Sequence, residues 1–162
     1  MSVGNQVTSD HQLARLLQIG IVLEEVVEAR AYHHYEELDD DTLDDEIRNL
    51  LSHAAEESAD HRERLEELID ELEAESVPFE EIETLVEAKY GSSKPEDFDG
   101  VLYDQLCNEE TAYKFYDDLI TAIESSDVQF SIDRDRLLDT LAAIREEEAE
   151  GVEEVTDLME RQ

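Results

Sequence analysis

Basic residues are scarce in this chain, where 12 Lys and Arg stand against 47 Asp and Glu and leave a formal net charge of -35. Proteins bind nucleic-acid phosphates through clustered Lys and Arg, which release condensed counterions. The sequence contains no such basic stripe. We therefore expect no nucleic-acid partner.

Cysteine and long apolar runs are also nearly absent. Because Cys107 is the only cysteine, the chain cannot form an intramolecular disulfide. The longest apolar stretch, residues 16–23, is too short to span a bilayer, and the residues before it lack the basic region and cleavage site of a signal peptide. These features predict a cytoplasmic protein with no membrane partner.

The excess of acidic residues suits a salt-rich environment. Only three of the basic residues are lysines, and this acid-rich, lysine-poor composition resembles that of halophilic proteins. At low salt the like charges work against the compact state, whereas near 1 M salt the Debye length falls to roughly 3 Å. An apolar content of 40% still suffices for a core, and its helical periodicity argues against an acidic disordered chain.

Apolar residues recur every three to four positions in four long segments, and this period predicts helices. The helices should span about residues 9–38, 46–72, 95–125 and 133–162. An acidic turn over residues 39–45 separates the first two, and no useful strand-like alternation appears. We therefore predict an all-α protein that forms a single domain over residues 1–162.

A sequence repeat relates the two halves of the chain. The first and third helices share a motif at an offset of 81 residues: Glu28-x-x-Ala31-Tyr32-x-x-Tyr35 and Glu109-x-x-Ala112-Tyr113-x-x-Tyr116. A weaker repeat relates the second and fourth helices. The halves therefore look like duplicated helical hairpins, at about residues 9–74 and 98–161, joined by a long crossover at about residues 75–97. Such hairpins form an antiparallel four-helix bundle.

The repeated motif resembles the rubrerythrin and ferritin-like superfamily, whose first helix carries Glu-x-x-Ala-x-x-x-Tyr and whose second carries Glu-x-x-His. The resemblance implies a ferritin-like bundle around a di-iron or di-manganese centre. In that pattern two helices supply one Glu each, and the other two supply a Glu-x-x-His pair each. Glu28 and Glu109 match the single-Glu positions.

The paired motifs depart from the family pattern. On the second helix, Ser58 stands three residues before His61, and Glu57 is off by one position. On the fourth helix the matching positions are Glu148 and Gly151, so the second histidine is missing. Imidazole normally completes the coordination in such sites, so these departures matter for metal binding.

Hairpin geometry still allows a carboxylate-rich site, because a rise of about 1.5 Å per residue sets Glu28 level with Glu57 and Glu109 level with residues 147–150. Glu28, Glu109 and Glu148 also interrupt otherwise apolar lines, and a buried carboxylate without a metal or partner is costly. We predict the following ligands for iron or manganese: Glu28, Glu57, His61, Glu109, Glu147 and Glu148.

Other polar residues near these lines are expected to lie outside the site. Glu24 is on the inner line of the first helix, but its repeat counterpart is Gln105, so we expect a solvated or inter-subunit role for it. His33 and His34 are expected on the surface. The four tyrosines of the repeated motif are expected to pack in the core or in an interface.

Two functions remain open at this stage. The resemblance implies ferrous oxidation or peroxide consumption at the metal site, without the Cys-x-x-Cys electron donor of a full rubrerythrin. The alternative is a non-enzymatic acidic bundle whose metal site has decayed and which acts as an assembly or interaction module. Ser58 and Gly151 favour this alternative. Under either function we expect a homo-oligomer, either a dimer or a larger assembly.

Overall fold

The computed structural model describes residues 7–37, 45–73 and 101–161. These ranges contain four α-helices and no strand, which confirms the all-α prediction: α1 Asp10–Glu37, α2 Asp45–Asp70, α3 Val101–Glu124 and α4 Arg134–Arg161. The predicted crossover at residues 75–97, the predicted start of the third helix and residues 39–44 of the acidic turn lie outside the described residues. No described helix is long and apolar enough to cross a membrane.

The helices pack as two hairpins, α1 with α2 and α3 with α4, which join into the predicted four-helix bundle. Helices α1 and α3 lie side by side in opposite directions. The Ser126 hydroxyl after α3 donates to the Val7 carbonyl before α1 over 2.9 Å, and the far ends meet where His34 lies 2.9 Å from Asp104. The two hairpins therefore pack against each other and enclose a shared interior.

Local capping fixes the start of α1. The Gln12 N–H donates to the Ser9 hydroxyl over 3.2 Å, and the Gln12 side-chain oxygen accepts a 2.7 Å hydrogen bond from the Thr8 N–H. This reciprocal arrangement satisfies amide groups that have no partner inside the helix. Asp10 in the first turn also accepts from the Ser131 N–H over 3.0 Å, which ties the α3–α4 loop to the start of α1.

The apolar core has two parts, and each helix contributes to both. A large cluster fills the end near the start of α1 and includes Leu17, Leu68, Leu119 and Leu141. A small cluster fills the opposite end and includes Ala31, Leu51, Leu102 and Val155. Burying each such leucine contributes about 1.5–3 kcal/mol. Between the clusters lies one level of buried polar residues, the polar layer, with one member on each helix: Glu24, His61, Glu109 and Glu148.

The structure corrects the surface prediction for His34 and shows which of the four repeat tyrosines lies in the core. His34, predicted on the surface, is only 4% exposed, and its ring pairs with the buried Asp104 of α3. Tyr35, expected in the core or in an interface, is 41% exposed in the single chain. Tyr32 and Tyr113 are also exposed, and of the four repeat tyrosines only Tyr116 is buried.

Candidate metal centre

The centre of the polar layer is a group of three side chains from three different helices. Glu24 of α1, His61 of α2 and Glu148 of α4 are 2%, 0% and 4% exposed. One ligand atom from each lies within 4.8 Å of the others, so the group can hold a metal ion. His61 Nδ1 faces both carboxylates, at 3.3 Å from Glu24 Oε1 and 3.1 Å from Glu148 Oε1.

Hydrogen-bond donors in this group are too few for its acceptors. Besides His61, Glu24 Oε1 accepts a 2.7 Å hydrogen bond from the hydroxyl of the buried Tyr116. Its other oxygen, Oε2, has no hydrogen-bond partner among the described residues. Leaving a buried charged acceptor unsatisfied costs at least about 1–3 kcal/mol. A cation beside Glu24 would remove this deficit.

The outer side of the imidazole faces further carboxylates. His61 Nε2 lies 3.3 Å from Glu147 Oε2 and 3.9 Å from Glu57 Oε1. It forms no hydrogen bond within the described part of the chain, so these contacts act as electrostatic attraction. A metal-ligating histidine typically directs its second nitrogen at a carboxylate, which orients the ring. The surroundings of His61 therefore suit a ligand.

Burial and neighbouring charges favour the protonated forms of several groups in the polar layer. Burial, together with the negative charges of Glu24 and Glu109, raises the pKa of Glu148 well above its ordinary value. Burial also raises the pKa of Glu109, although hydrogen bonds from Glu148 and Gln105 counteract it. Burial lowers the pKa of His61, but the nearby carboxylates, led by Glu24, outweigh it and raise the pKa overall. A metal ion would compete with these protons.

Glu109 occupies a close-fitting position beside the group. Gln105 Nε2 donates to Glu109 Oε1 over 2.9 Å, one turn earlier on α3. The carboxylate also packs directly onto Gly151 of α4, where an added Cβ would lie 2.6 Å from Glu109 Oε2. Only glycine leaves room for the carboxylate in this arrangement.

The six predicted ligands fall at different places. His61 and Glu148 belong to the central group, and Glu109 lies beside it. Glu57 and Glu147 stand at the outer edge of the imidazole. Glu28 instead accepts a 2.7 Å hydrogen bond from Arg62.

The sequence analysis missed Glu24, and its burial shows that the expected solvated role is wrong. Its place on the inner line of α1 was a usable signal, but the repeat comparison outweighed it because the counterpart is Gln105. That glutamine is itself buried in the interior and holds Glu109. Positions 24 and 105 are therefore both buried in the interior, although only position 24 carries a carboxylate.

The donor set fits a divalent transition ion. Two carboxylates and one imidazole suit iron, manganese or zinc, whereas calcium and magnesium prefer oxygen ligands alone. The unpartnered Glu24 oxygen supplies an independent indication, because it is a buried acceptor that a cation would satisfy.

No protein-family model, curated protein or solved structure matches this chain. The ferritin-like resemblance therefore rests on the sequence motif and stays a prediction.

Proposed function

We propose that this chain is a ferritin-like metal-binding protein that holds iron, or manganese, inside its bundle through Glu24, His61 and Glu148. One observation carries the proposal. Three buried side chains from three helices direct ligand atoms at one point, and a carboxylate oxygen of Glu24 has no other partner among the described residues. Leaving this buried oxygen unsatisfied costs free energy, and a bound cation would remove that cost.

The residues around the group orient its side chains so that ligand atoms are available to a cation. Tyr116 fixes one oxygen of Glu24 and leaves the other oxygen available. Glu147 and Glu57 lie near the outer nitrogen of His61 and favour the orientation in which Nδ1 faces the two carboxylates. The apolar clusters above and below the polar layer exclude water from it.

The proposed chemistry is ferrous oxidation coupled to removal of oxygen or peroxide. Each bound ferrous ion would supply one electron, so the two-electron reduction of one peroxide molecule to water would consume two ferrous ions and two protons. The chain supplies the dry interior, and burial, which raises the pKa of Glu109 beside the central group, favours a proton on that carboxyl. Ionising the Tyr116 phenol is costly, because burial and the charges of Glu24 and Glu148 raise its pKa well above the ordinary value. Tyr116 therefore serves as a hydrogen-bond donor to Glu24.

Two measurements test this proposal, in molar potassium chloride. Thermal unfolding under anaerobic conditions should shift upward with Mn(II), because a ligand present at 100 times its Kd adds about 2.7 kcal/mol to the free energy of unfolding. Oxygen uptake after addition of Fe(II) should exceed that of free Fe(II). Glu24→Gln should abolish both effects, while Glu28→Gln, with its carboxylate paired to Arg62, should retain them. Equal behaviour of wild type and Glu24→Gln would refute the proposal.

The alternative is the non-enzymatic bundle that serves as an assembly or interaction module. Its support is the hydrogen-bonded pair of Glu148 and Glu109, which lets the chain neutralise part of the polar layer with a proton instead of a metal. Under this alternative Mn(II) leaves the unfolding temperature unchanged. The same Glu24→Gln substitution then stabilises the chain, because it removes a buried charge with an unsatisfied oxygen.

A further inference from the structure

Several carboxylates that border the polar layer already have a cationic partner in the protein. Glu28 of α1 accepts a 2.7 Å hydrogen bond from Arg62 Nη1 of α2. A guanidinium at this distance neutralises the carboxylate and occupies part of its coordinating capacity. The Glu28 carboxylate is therefore neutralised by Arg62, whose positive charge is permanent.

Glu147 is held in the same way by an arginine two residues further along α2. Arg64 Nη1 donates to Glu147 Oε2 over 2.9 Å, and Arg64 Nη2 approaches Oε1 at 3.3 Å. This two-point contact engages both oxygens, which is the geometry that binds carboxylates most firmly. The Glu147 carboxylate thus pairs with Arg64 and at the same time faces the outer nitrogen of His61.

Glu109 is held by neutral neighbours. Gln105 donates to one of its oxygens, and the carboxylate fills the space above Gly151. In the family pattern a histidine would stand at position 151. Because a Cβ there would lie 2.6 Å from Glu109 Oε2, the observed place of Glu109 excludes any side chain at that position.

The central group differs from Glu28 and Glu147. Glu24, His61 and Glu148 contact no arginine or lysine within the ranges 7–37, 45–73 and 101–161. Glu24 also keeps its free oxygen. A first divalent ion therefore meets ligand atoms that have no arginine or lysine partner in the described part of the protein. A second ion that used Glu28 and Glu147 would have to displace two guanidinium groups, which cannot lose their charge.

We infer that the site takes a single divalent ion per chain, at Glu24, His61 and Glu148. Arg62 and Arg64 are fixed counter-charges that neutralise Glu28 and Glu147, the carboxylates that a second ion would need. This inference rests on the proposed metal-binding function. It departs from the two-ion centre that the sequence motif implies, because Glu28 and Glu147 pair with arginines and Glu109 accepts a hydrogen bond from Gln105. Glu57 Oε2 in turn lies 3.1 Å from His53 Nε2.

Manganese stoichiometry tests the inference. Wild type, Glu24→Gln and the surface control Glu56→Gln are dialysed anaerobically to equilibrium against Mn(II) in molar potassium chloride, and manganese per chain is measured by mass spectrometry. Subtracting the Glu24→Gln value removes ions bound loosely by the acidic surface. We expect wild type and Glu56→Gln to exceed Glu24→Gln by one ion per chain, with the electron paramagnetic resonance signal of isolated Mn(II).

The other outcomes separate the inference from the proposed function. An excess of two ions per chain, with the signal of an exchange-coupled pair, would overturn the inference and leave the metal-binding proposal standing. No excess at all would overturn both. A second variant tests the counter-charges directly: the double substitution Arg62→Met, Arg64→Met frees Glu28 and Glu147 and should raise uptake by one further ion. If this folded variant gains none, the arginines do not limit the site. The wild-type stoichiometry decides the single-ion inference without that variant.

Discussion

The hydroxyl of Tyr116 on α3 donates a 2.7 Å hydrogen bond to Glu24 Oε1 on α1. Both side chains are almost completely buried, so the bond crosses the bundle interior and forms away from water. It joins Tyr116, a member of the repeated motif on the third helix, to Glu24, the candidate ligand of the first helix that the motif did not indicate. The orientation of Glu24, and with it the geometry of the central group, depends on this contact.

We predict that Tyr116→Phe lowers the free energy of unfolding by about 1–3 kcal/mol, because Glu24 loses a buried hydrogen-bond donor. It should also weaken Mn(II) binding by roughly 10-fold to 100-fold, as is common when a group that orients a ligand is removed. Urea unfolding and Mn(II) titration measure the two effects. The control is Tyr113→Phe, at an exposed tyrosine of the same helix, which should change stability by less than about 0.5 kcal/mol. Similar effects from both variants would contradict this role for Tyr116.

The metal-free protein should lose stability as the pH rises from about 4.5 to 7 and beyond. Burial is the main cause that raises the pKa of Glu57 from 4.5 to about 7. Because the folded state then holds this proton more tightly than the unfolded state, its contribution is complete below pH 4.5 and is lost as the pH passes through 7. The raised pKa values of Glu109, Glu148 and His61 act in the same direction.

Unfolding temperatures across this pH range, measured in the presence of a chelator, check the prediction. Glu57→Gln should flatten the decline between pH 4.5 and 7, whereas Glu56→Gln on the exposed side of α2 should leave it unchanged. Mn(II) affinity should follow the opposite trend and rise with pH, because the ligands must lose their protons before they bind. Stability that increases with pH in the absence of metal would contradict the account.

Gly151→Ala should destabilise the chain, although alanine is normally better than glycine in a helix by about 1 kcal/mol. The added Cβ would approach Glu109 Oε2 to 2.6 Å and displace a buried carboxylate, and overpacking of this kind costs about 1–3 kcal/mol. In the background of Glu109→Ala the space is open, so the same substitution should become stabilising. A double-mutant cycle by chemical denaturation measures this change of sign. Additive effects would show that Glu109 does not pack on Gly151.

Stability should increase steeply with salt. The chain carries a net charge of -35, and the Debye length falls from about 10 Å at 0.1 M to about 3 Å at 1 M. We expect the unfolding temperature to rise by roughly 5–10 °C between these concentrations of potassium chloride, equivalent to a few kcal/mol. A variant with exposed acidic residues of α2 neutralised should respond less: Glu63→Gln, Glu66→Gln and Glu67→Gln. An unfolding temperature that does not change with salt would refute the prediction of a halophilic protein.

The helical architecture could be predicted from sequence because it follows from apolar periodicity, which each helix repeats many times. One exposed position such as Tyr35 does not change that pattern. The polar layer was only partly predictable. His61 and Glu148 interrupt the apolar lines of their helices, and this local signal was sufficient to find them.

Glu24 was missed because two helical positions one turn apart, Glu24 and Glu28, both lie near the inner face of α1. Local spacing cannot tell which of them turns inward. Which of the two points inward depends on partners from other helices. Tyr116 of α3 donates a hydrogen bond to Glu24 in the interior, and Arg62 of α2 donates one to Glu28. The repeat favoured Glu28 because it matches Glu109, yet the duplicated helices have diverged in the contacts that orient these side chains.

Anomalous diffraction tests the central claim most directly. Crystals grown anaerobically with Mn(II) in molar potassium chloride, and measured on both sides of the manganese absorption edge, locate the ion without assumptions about its ligands. We predict one interior manganese peak per chain, bounded by Glu24, His61 and Glu148. An interior peak at Glu28 and Glu57 that excludes Glu24, or no peak in the polar layer at saturating Mn(II), would contradict the account.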